Sequence, residues 1–290
     1  MLKLWAVIFM TLDHIGAYLQ PFMSEQLYML LRAVGRLAFP IFAYHVARGY
    51  SLTRNPARYF FRMLIFAFAG EVLIRYGYSI ASLKTQGTNI MFTFALAIVM
   101  ITGYRLIWNC GRDMIASLRP ITTGPPAMPP PRYDVRVNIF GISLDCRTGT
   151  IIGFGLMLAA MILASVIRSD YDIYGLLTVL IFYIVLNLPG PDYQHEDARK
   201  LHPAHDPLHE QQAFWLLLVL NVMFSLGNLS QTGASLFWSL LQNFSLLSVP
   251  IIFHSRQQRK RPGSLQKYFF YFYYPLHIFL VLLLRAYLSR

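Results

Sequence analysis

The chain has 290 residues, of which 56% are hydrophobic and 13% are charged, and its mean hydropathy is +0.46. This charged fraction is about half that of a typical soluble domain, so the composition excludes an ordinary soluble enzyme and predicts an integral membrane protein. The net charge of +12 does not indicate a nucleic-acid-binding protein. The Lys and Arg residues instead fall in short segments between apolar runs, the pattern that orients membrane proteins.

Apolar runs of about 20 residues recur along the whole chain, and we interpret about nine of them as transmembrane helices. We therefore predict an all-α, polytopic membrane protein that forms one domain over residues 1–290. The predicted spans are 3–20, 28–48, 58–80, 90–108, 150–168, 173–188, 213–229, 233–253 and 268–288.

The connections between these spans alternate in charge. Arginines and lysines are concentrated near the second, fourth and eighth connections, at residues 48–62, 105–147 and 256–267, whereas the odd-numbered connections contain few. Because cytoplasmic loops carry an excess of Lys and Arg, we expect the even connections and the N-terminus to be cytoplasmic. The predicted location is the inner (cytoplasmic) membrane of a bacterium, with membrane lipid around the helices.

Two connections are long. Residues 109–149 contain ITTGPPAMPPPRY, a proline-rich run that favours extended backbone, and we predict a cytoplasmic insertion that acts as a linker or docking surface. Residues 189–212 contain four histidines but no standard zinc spacing and no cysteine partner, so we expect a solvated loop and no metal site.

The first predicted span, KLWAVIFMTLDHIGAYL, carries Asp13 and His14 in its middle. An ionisable side chain at the bilayer centre costs roughly 3 kcal/mol, so we expect both residues to have a function. The step from Lys3 to His14 is three helical turns, about 16 Å, which places both side chains on one face. Lys3 is then expected at the aqueous edge and His14 near the midplane.

Two further charged residues, Arg36 and Glu71, are predicted at a similar depth in the second and third spans. Clustered charges can neutralise one another, so a purely structural pair of Arg36 with either Asp13 or Glu71 is one interpretation. It leaves His14 unexplained, whose ordinary pKa lies near neutrality and which can accept and return a proton. The predicted catalytic residues are therefore His14, Asp13, Arg36 and Glu71.

The second connection, ARGYSLTRNPARYFFRML, combines several arginines with aromatic rings. Guanidinium groups bind phosphate oxygens well, and an aromatic ring can stack on a nucleotide base. We expect a phosphorylated donor to bind at Arg54, Arg58, Arg62 and Tyr59, with Lys3 beside them; the alternative is that the arginines only orient the chain in the membrane.

The last span, KYFFYFYYPLHIFLVLLL, contains a proline that frees a backbone carbonyl and favours a kink. Tyr274 and His277 flank this proline. His277 lies too deep for an interfacial aromatic belt, so we predict that Tyr274 and His277 line a substrate pocket.

Several motifs together resemble the TraX family, whose known member acetylates the N-terminus of pilin in F-type conjugation. They are LDHIG at 12–16, GRLAFPIFAY at 35–44, TRNPARYFFRMLIFAFAGE at 53–71, NIMFTF at 89–94, DYDIYG at 170–175 and FYFYYPLHI at 270–278. The fifth motif departs from the family pattern, because Asp172 stands where the family usually has glycine. More distantly, Lys3 and His14 are similar to the basic-x10-His signature of transmembrane acyltransferases.

The resemblance implies an acetyl-CoA-dependent membrane N-acetyltransferase that modifies the N-terminal amine of a conjugative pilin subunit. It implies that His14 is the catalytic base and that the arginines of the second connection hold the phosphates of CoA. Two other functions remain open, a transporter or flippase and a non-enzymatic partner in pilus assembly. Solute uptake independent of acyl-CoA would favour the first, and loss of assembly with intact acetylation would favour the second.

Overall fold

The structure is a computed structural model that describes residues 2–85, 87–118, 136–139, 142–188, 207–232, 240–255 and 264–290. Within these ranges almost every residue is helical, which confirms the predicted all-α class. The helices are α1 (Leu2–Leu19), α2 (Glu25–Gly35), α3 (Ala38–Leu52), α4 (Pro56–Ile80), α5 (Ile90–Leu118), α6 (Cys146–Val166), α7 (Asp172–Asn187), α8 (Pro207–Thr232), α9 (Ser248–His254) and α10 (Ser264–Leu288). Short 3-10 helices cover Gln20–Phe22 and Leu241–Leu247.

Six helical segments of the described ranges are long and apolar enough to cross a membrane. They are α1 with its 3-10 turn, α2 together with α3, the first part of α5, α6, α8 and α10. The apolar helix α7 is shorter, with 16 residues. These apolar segments confirm a polytopic membrane protein. The six segments found in the described ranges are fewer than the nine spans that we predicted.

Contacts near both ends of α1 and α10 show the relative direction of these two helices. Lys3 Nζ lies 5.1 Å from the centre of the Phe270 ring, so α1 and α10 begin at one end of the bundle, here named the Lys3 end. Arg285 Nη1 donates a hydrogen bond to the backbone oxygen of Tyr18, so both helices also finish together, at the Arg285 end. Helices α1 and α10 therefore run parallel to each other between these two ends.

The connections at the Arg285 end pack on each other. Thr88 and Ser169 form an isolated parallel bridge, in which the Thr88 N–H donates to the Arg168 oxygen at 3.0 Å. Gly87 has a φ of +82°, and a Cβ there would lie 2.2 Å from that same oxygen, so only glycine fits this turn. This contact fixes the segment before α5 against the segment before α7.

The surface and the interior of the bundle differ as expected for a protein surrounded by lipid. Large apolar side chains such as Val72 and Val166, each 72% exposed, point outwards from the helices. Small residues lie between helices: Gly103 of α5 and Gly153 of α6 are so close that a Cβ on Gly103 would lie 2.5 Å from the Gly153 oxygen. Close backbone approach at small residues is typical of helix pairs in membranes.

The two long connections depart from the predicted boundaries where they are described. Helix α5 extends to Leu118, and the strands Arg136–Ile139 and Ile142–Asp145 form an antiparallel hairpin before α6. The proline-rich run at 121–133 lies outside the described residues. Most of the histidine-rich segment, 189–206, also lies outside them, but helix α8 begins at Pro207, and His209 is buried inside the bundle rather than solvated.

Candidate functional site

A cavity of about 1660 Å³ extends through the interior of the bundle. At the Lys3 end its wall includes Lys3, Arg48 and Thr53, and at the Arg285 end it includes Lys84 and Arg285. The wall between them carries most of the predicted catalytic and binding residues. These are Asp13, His14, Arg36, Tyr59, Arg62, Glu71 and Tyr274.

His14 on the cavity wall is in contact with His277 of α10. The two imidazoles are 2.8 Å apart, from His14 Nδ1 to His277 Nε2. His277 Nδ1 lies 2.9 Å from the backbone oxygen of Tyr273, one turn earlier in the same helix. His277 is 5% exposed and, unlike Tyr274, does not line the cavity, so the structure places it behind His14 and not in the predicted pocket.

The packing of α1 on α10 explains why these histidines meet. Thr11 Oγ1 and the Tyr273 hydroxyl are 2.9 Å apart, one turn from the histidine pair. The Tyr273 ring stacks on the His277 ring, with centroids 5.1 Å apart. The Thr11–Tyr273 and His14–His277 contacts join the two helices between the contacts of Lys3 with Phe270 and of Arg285 with Tyr18, so the helices are held together along their length.

Arg36 stands at a break between α2 and α3, which we predicted as one continuous span. Pro40 has no N–H to donate to the Arg36 carbonyl, and its ring disfavours a regular turn there, so the helix is interrupted at residues 36–37. The Arg36 guanidinium donates from Nη1 to the Tyr171 hydroxyl at 3.2 Å and to Gln242 Oε1 at 3.5 Å. Its Nε is buried without a hydrogen-bond partner.

A buried hydrogen-bond network holds one of these partners of Arg36, Gln242, in place. Gln242 Nε2 donates to the Tyr174 hydroxyl at 2.8 Å, and that hydroxyl donates to Asn221 Oδ1 at 2.8 Å. Asn221 Nδ2 donates in turn to Ser245 Oγ at 2.9 Å. The network joins α7, α8 and the 3-10 helix before α9, and no sequence motif indicated it because these residues are far apart in the chain.

Neither carboxylate that we predicted as a partner of Arg36 forms an ion pair with it. Asp13 Oδ1 lies 2.8 Å from Arg32 Nη1 instead, and Arg32 was not among the predicted residues. The sequence signal that could have pointed to Arg32 is its position in the same predicted span, one helical turn before Arg36. A Cβ on Gly35 would lie 2.3 Å from the Asp13 Cβ, so α2 approaches α1 closely at this level.

Glu71 has both carboxylate oxygens occupied by other partners. Oε1 lies 2.7 Å from Arg75 Nε, and Oε2 accepts hydrogen bonds from the Asn89 backbone N–H at 2.9 Å and from Asn89 Nδ2 at 2.8 Å. Asn89 precedes the first residue of α5, and its own Oδ1 accepts from Met91 N. Glu71 therefore anchors the start of α5 and does not contact Arg36.

The predicted phosphate-binding residues divide into two groups. Lys3, Arg62 and Tyr59 line the cavity, and the Arg62 guanidinium lies 5.2 Å from the centre of the Tyr59 ring. Arg54 and Arg58 are exposed and lie outside the cavity wall, because they precede or begin α4, at least one turn before Arg62.

Two further residues at the Lys3 end, which were not among the predicted site residues, line the same part of the cavity. Arg48 and His45 are both on α3, close to Lys3. The Nε2 atom of His45 is buried without a hydrogen-bond partner. This half of the cavity is therefore basic. Among the described residues, no cluster of His, Cys, Asp and Glu side chains could hold a metal ion.

Two comparisons find proteins to which part of this chain is similar. A relative from Dichelobacter nodosus, named probable fimbrial assembly protein FimC of serogroup H1, is 32% identical over 114 residues, which are 36% of this chain and 46% of the relative. The chain thus spans about half the length of this relative. No solved structure matches the chain. The family model described as TraX protein matches residues 1–114, so the predicted TraX resemblance is confirmed over this part of the sequence.

Proposed function

We propose that this protein is a membrane-embedded acetyltransferase that transfers an acetyl group from acetyl-CoA to the N-terminal amine of a pilin subunit. The observation that carries the proposal is the cavity that connects both ends of the bundle, with His14 and Arg36 on its wall. A cytoplasmic donor and an acceptor on the other side of the membrane can meet only in such a passage. The TraX match and the relative named as a fimbrial assembly protein support the link to pili.

The donor enters from the Lys3 end in this proposal, and this end is the cytoplasmic one. Lys3, Arg48 and Arg62 offer the positive charge that the phosphates of CoA require. The Tyr59 ring offers a surface for an adenine base. About 16 Å of helix α1 separates Lys3 from His14, a distance that the extended pantetheine arm can cover.

The transfer itself needs a base and a stabilised oxyanion. The neutral amine of the acceptor attacks the thioester carbonyl carbon, a C–N bond forms, and His14 takes the proton that the nitrogen loses. Arg36 donates to the oxyanion of the tetrahedral intermediate through its free Nε. The C–S bond then breaks, the electron pair leaves with the CoA sulfur, and His14 returns the proton to give free CoA thiol and an amide.

The experiment is to express the protein with a conjugative pilin and to weigh the mature subunit. The wild-type protein is expected to add one acetyl group to the N-terminus, and His14→Ala is expected to abolish the addition. His254→Ala is the matched control, because that imidazole is 74% exposed and lies outside the cavity. Full acetylation by His14→Ala, or none by the wild type, would refute the proposal.

A non-enzymatic role in assembly is the second candidate, which the name of the relative favours. In that role the cavity residues are dispensable and a protein surface acts instead. Counting assembled pili in the His14→Ala strain separates the two functions. Normal acetylation with normal pili in that strain, combined with loss of pili on deletion of the gene, would favour the assembly role.

A further inference from the structure

The contact between His14 and His277 indicates which ring nitrogens of these two residues carry a proton. His277 lies behind the cavity wall, with Nδ1 facing the Tyr273 carbonyl oxygen at 2.9 Å and Nε2 facing His14 Nδ1 at 2.8 Å. A carbonyl oxygen can only accept a hydrogen bond, so His277 Nδ1 must carry a proton. The other nitrogen of a neutral His277 then has a free lone pair and can only accept.

The neutral form of His277 follows from its surroundings. The side chain is buried, and among the described residues no carboxylate lies within ion-pair distance of it. Burying an imidazolium without an anionic partner is costly, whereas two neutral imidazoles can hydrogen-bond as one donor and one acceptor. His14 Nδ1 is therefore the donor of this bond, and its proton is directed towards His277.

We propose that His277 is a positioning residue that holds His14 in the tautomer with a proton on Nδ1 and a free lone pair on Nε2. This inference rests on the proposed function and adds to it, because it assigns the base to one atom, His14 Nε2. His277 itself does not touch the substrate. The relay from the Tyr273 carbonyl through both imidazoles favours His14 Nε2 as the nitrogen that is available to a ligand in the cavity.

The same contact also serves the charged intermediate. When His14 Nε2 takes a proton from the acceptor nitrogen, the resulting imidazolium keeps its Nδ1–H bond to His277 Nε2. A hydrogen bond from a charged donor is stronger than one between neutral groups. His277 thus favours the protonated form of His14 at the stage when the proton must be held, without adding a negative charge to the site.

Two variants with side chains of similar length separate this role from packing. In His277→Gln the Oε1 atom can still accept from His14 Nδ1, whereas His277→Leu removes the acceptor. With acetyl-CoA and pilin, we expect His277→Leu to lower kcat by about 100-fold, the scale of general-base catalysis, with an unchanged KM for acetyl-CoA. His277→Gln is expected to keep most of the wild-type kcat. Equal losses in both variants, or wild-type kcat in His277→Leu, would overturn the proposal.

A spectroscopic measurement tests the tautomer without any change at residue 277. In wild-type protein labelled with ¹⁵N-histidine and reconstituted in lipid, His14 is expected to show a protonated Nδ1 and an unprotonated Nε2, with its signals assigned by their loss in His14→Gln. A proton on His14 Nε2 would overturn the proposal. If the wild type acetylates nothing, the proposed function fails, while this measurement still decides the tautomer.

Discussion

Asp13 and Arg32 form an ion pair between α1 and α2, with 2.8 Å between Oδ1 and Nη1. The side chains are 15% and 18% exposed, respectively, so most of this pair is shielded from water. Arg32 Nη1 also donates a hydrogen bond to the Asp13 backbone oxygen at 3.4 Å. Because Arg32 neutralises Asp13, the guanidinium of Arg36 keeps its charge available to a ligand in the cavity.

The first prediction concerns the stability that this ion pair provides. Arg32→Met leaves the Asp13 carboxylate buried without a partner, and such a change typically costs about 3 to 5 kcal/mol of unfolding free energy. We expect a clear fall in the thermal unfolding midpoint in detergent. The double variant Asp13→Asn with Arg32→Met removes both charges and is expected to recover most of the loss.

The matched comparison for this prediction is Arg75→Met. Arg75 pairs with Glu71, but its side chain is 51% exposed, and exposed pairs contribute about 1 kcal/mol or less. Glu71 also keeps its two hydrogen bonds from Asn89 in this variant. An equal drop in the unfolding midpoint for Arg75→Met and Arg32→Met would contradict the special role assigned to the Asp13 pair.

The second prediction separates Arg36 from Arg32. If Arg36 stabilises the oxyanion, Arg36→Gln removes a donor that acts only in the transition state, and losing one such donor typically lowers kcat by about 100- to 1000-fold. The KM for acetyl-CoA is expected to stay near the wild-type value. The measurement is the rate of CoA thiol release with pilin as acceptor. A raised KM with normal kcat would indicate that Arg36 binds the donor instead.

The third prediction tests where the donor phosphates bind. Arg62 lines the cavity and Arg58, one turn earlier on α4, is exposed outside it. Removing one charge from a phosphate contact, as in Arg62→Gln, is expected to raise the KM for acetyl-CoA about tenfold, which corresponds to about 1.4 kcal/mol. Arg58→Gln is the matched control and is expected to leave the KM unchanged. A larger rise in KM for Arg58→Gln than for Arg62→Gln would indicate that the phosphates bind at the exposed second connection.

The sequence predicted much of this architecture because its signals are local. Runs of apolar residues located the helices, and the cost of buried charge singled out Asp13, His14, Arg36 and Glu71. The partners of these residues could not be predicted in the same way. Their contacts with Arg32, Asn89 and His277 depend on how the helices pack against one another. The depth of Glu71, for example, was a sound reason to expect a partner, but no periodicity indicated that its partner caps the next helix.

The fourth prediction concerns Asp170, which lies in the turn before α7 and lines the cavity. Burial among protein atoms raises the pKa of this carboxyl to about 6, and the nearby Asp13 carboxylate raises it further, while Arg36 and Arg32 oppose the shift. Asp170 is nevertheless exposed to the cavity, where water also reaches it. A raised pKa means that the folded protein favours the protonated form.

The sign of the pH effect follows from this preference. The folded state binds the Asp170 proton more tightly than the unfolded state does, so the stabilising contribution is complete below a pH of about 3.9 and is lost as the pH rises through about 6. Asp170→Asn removes this titration. Between pH 5 and 7, the unfolding midpoint of the wild type is therefore expected to fall relative to that of Asp170→Asn. Parallel curves for the two proteins, measured in the same detergent, would show that Asp170 ionises at its ordinary pKa.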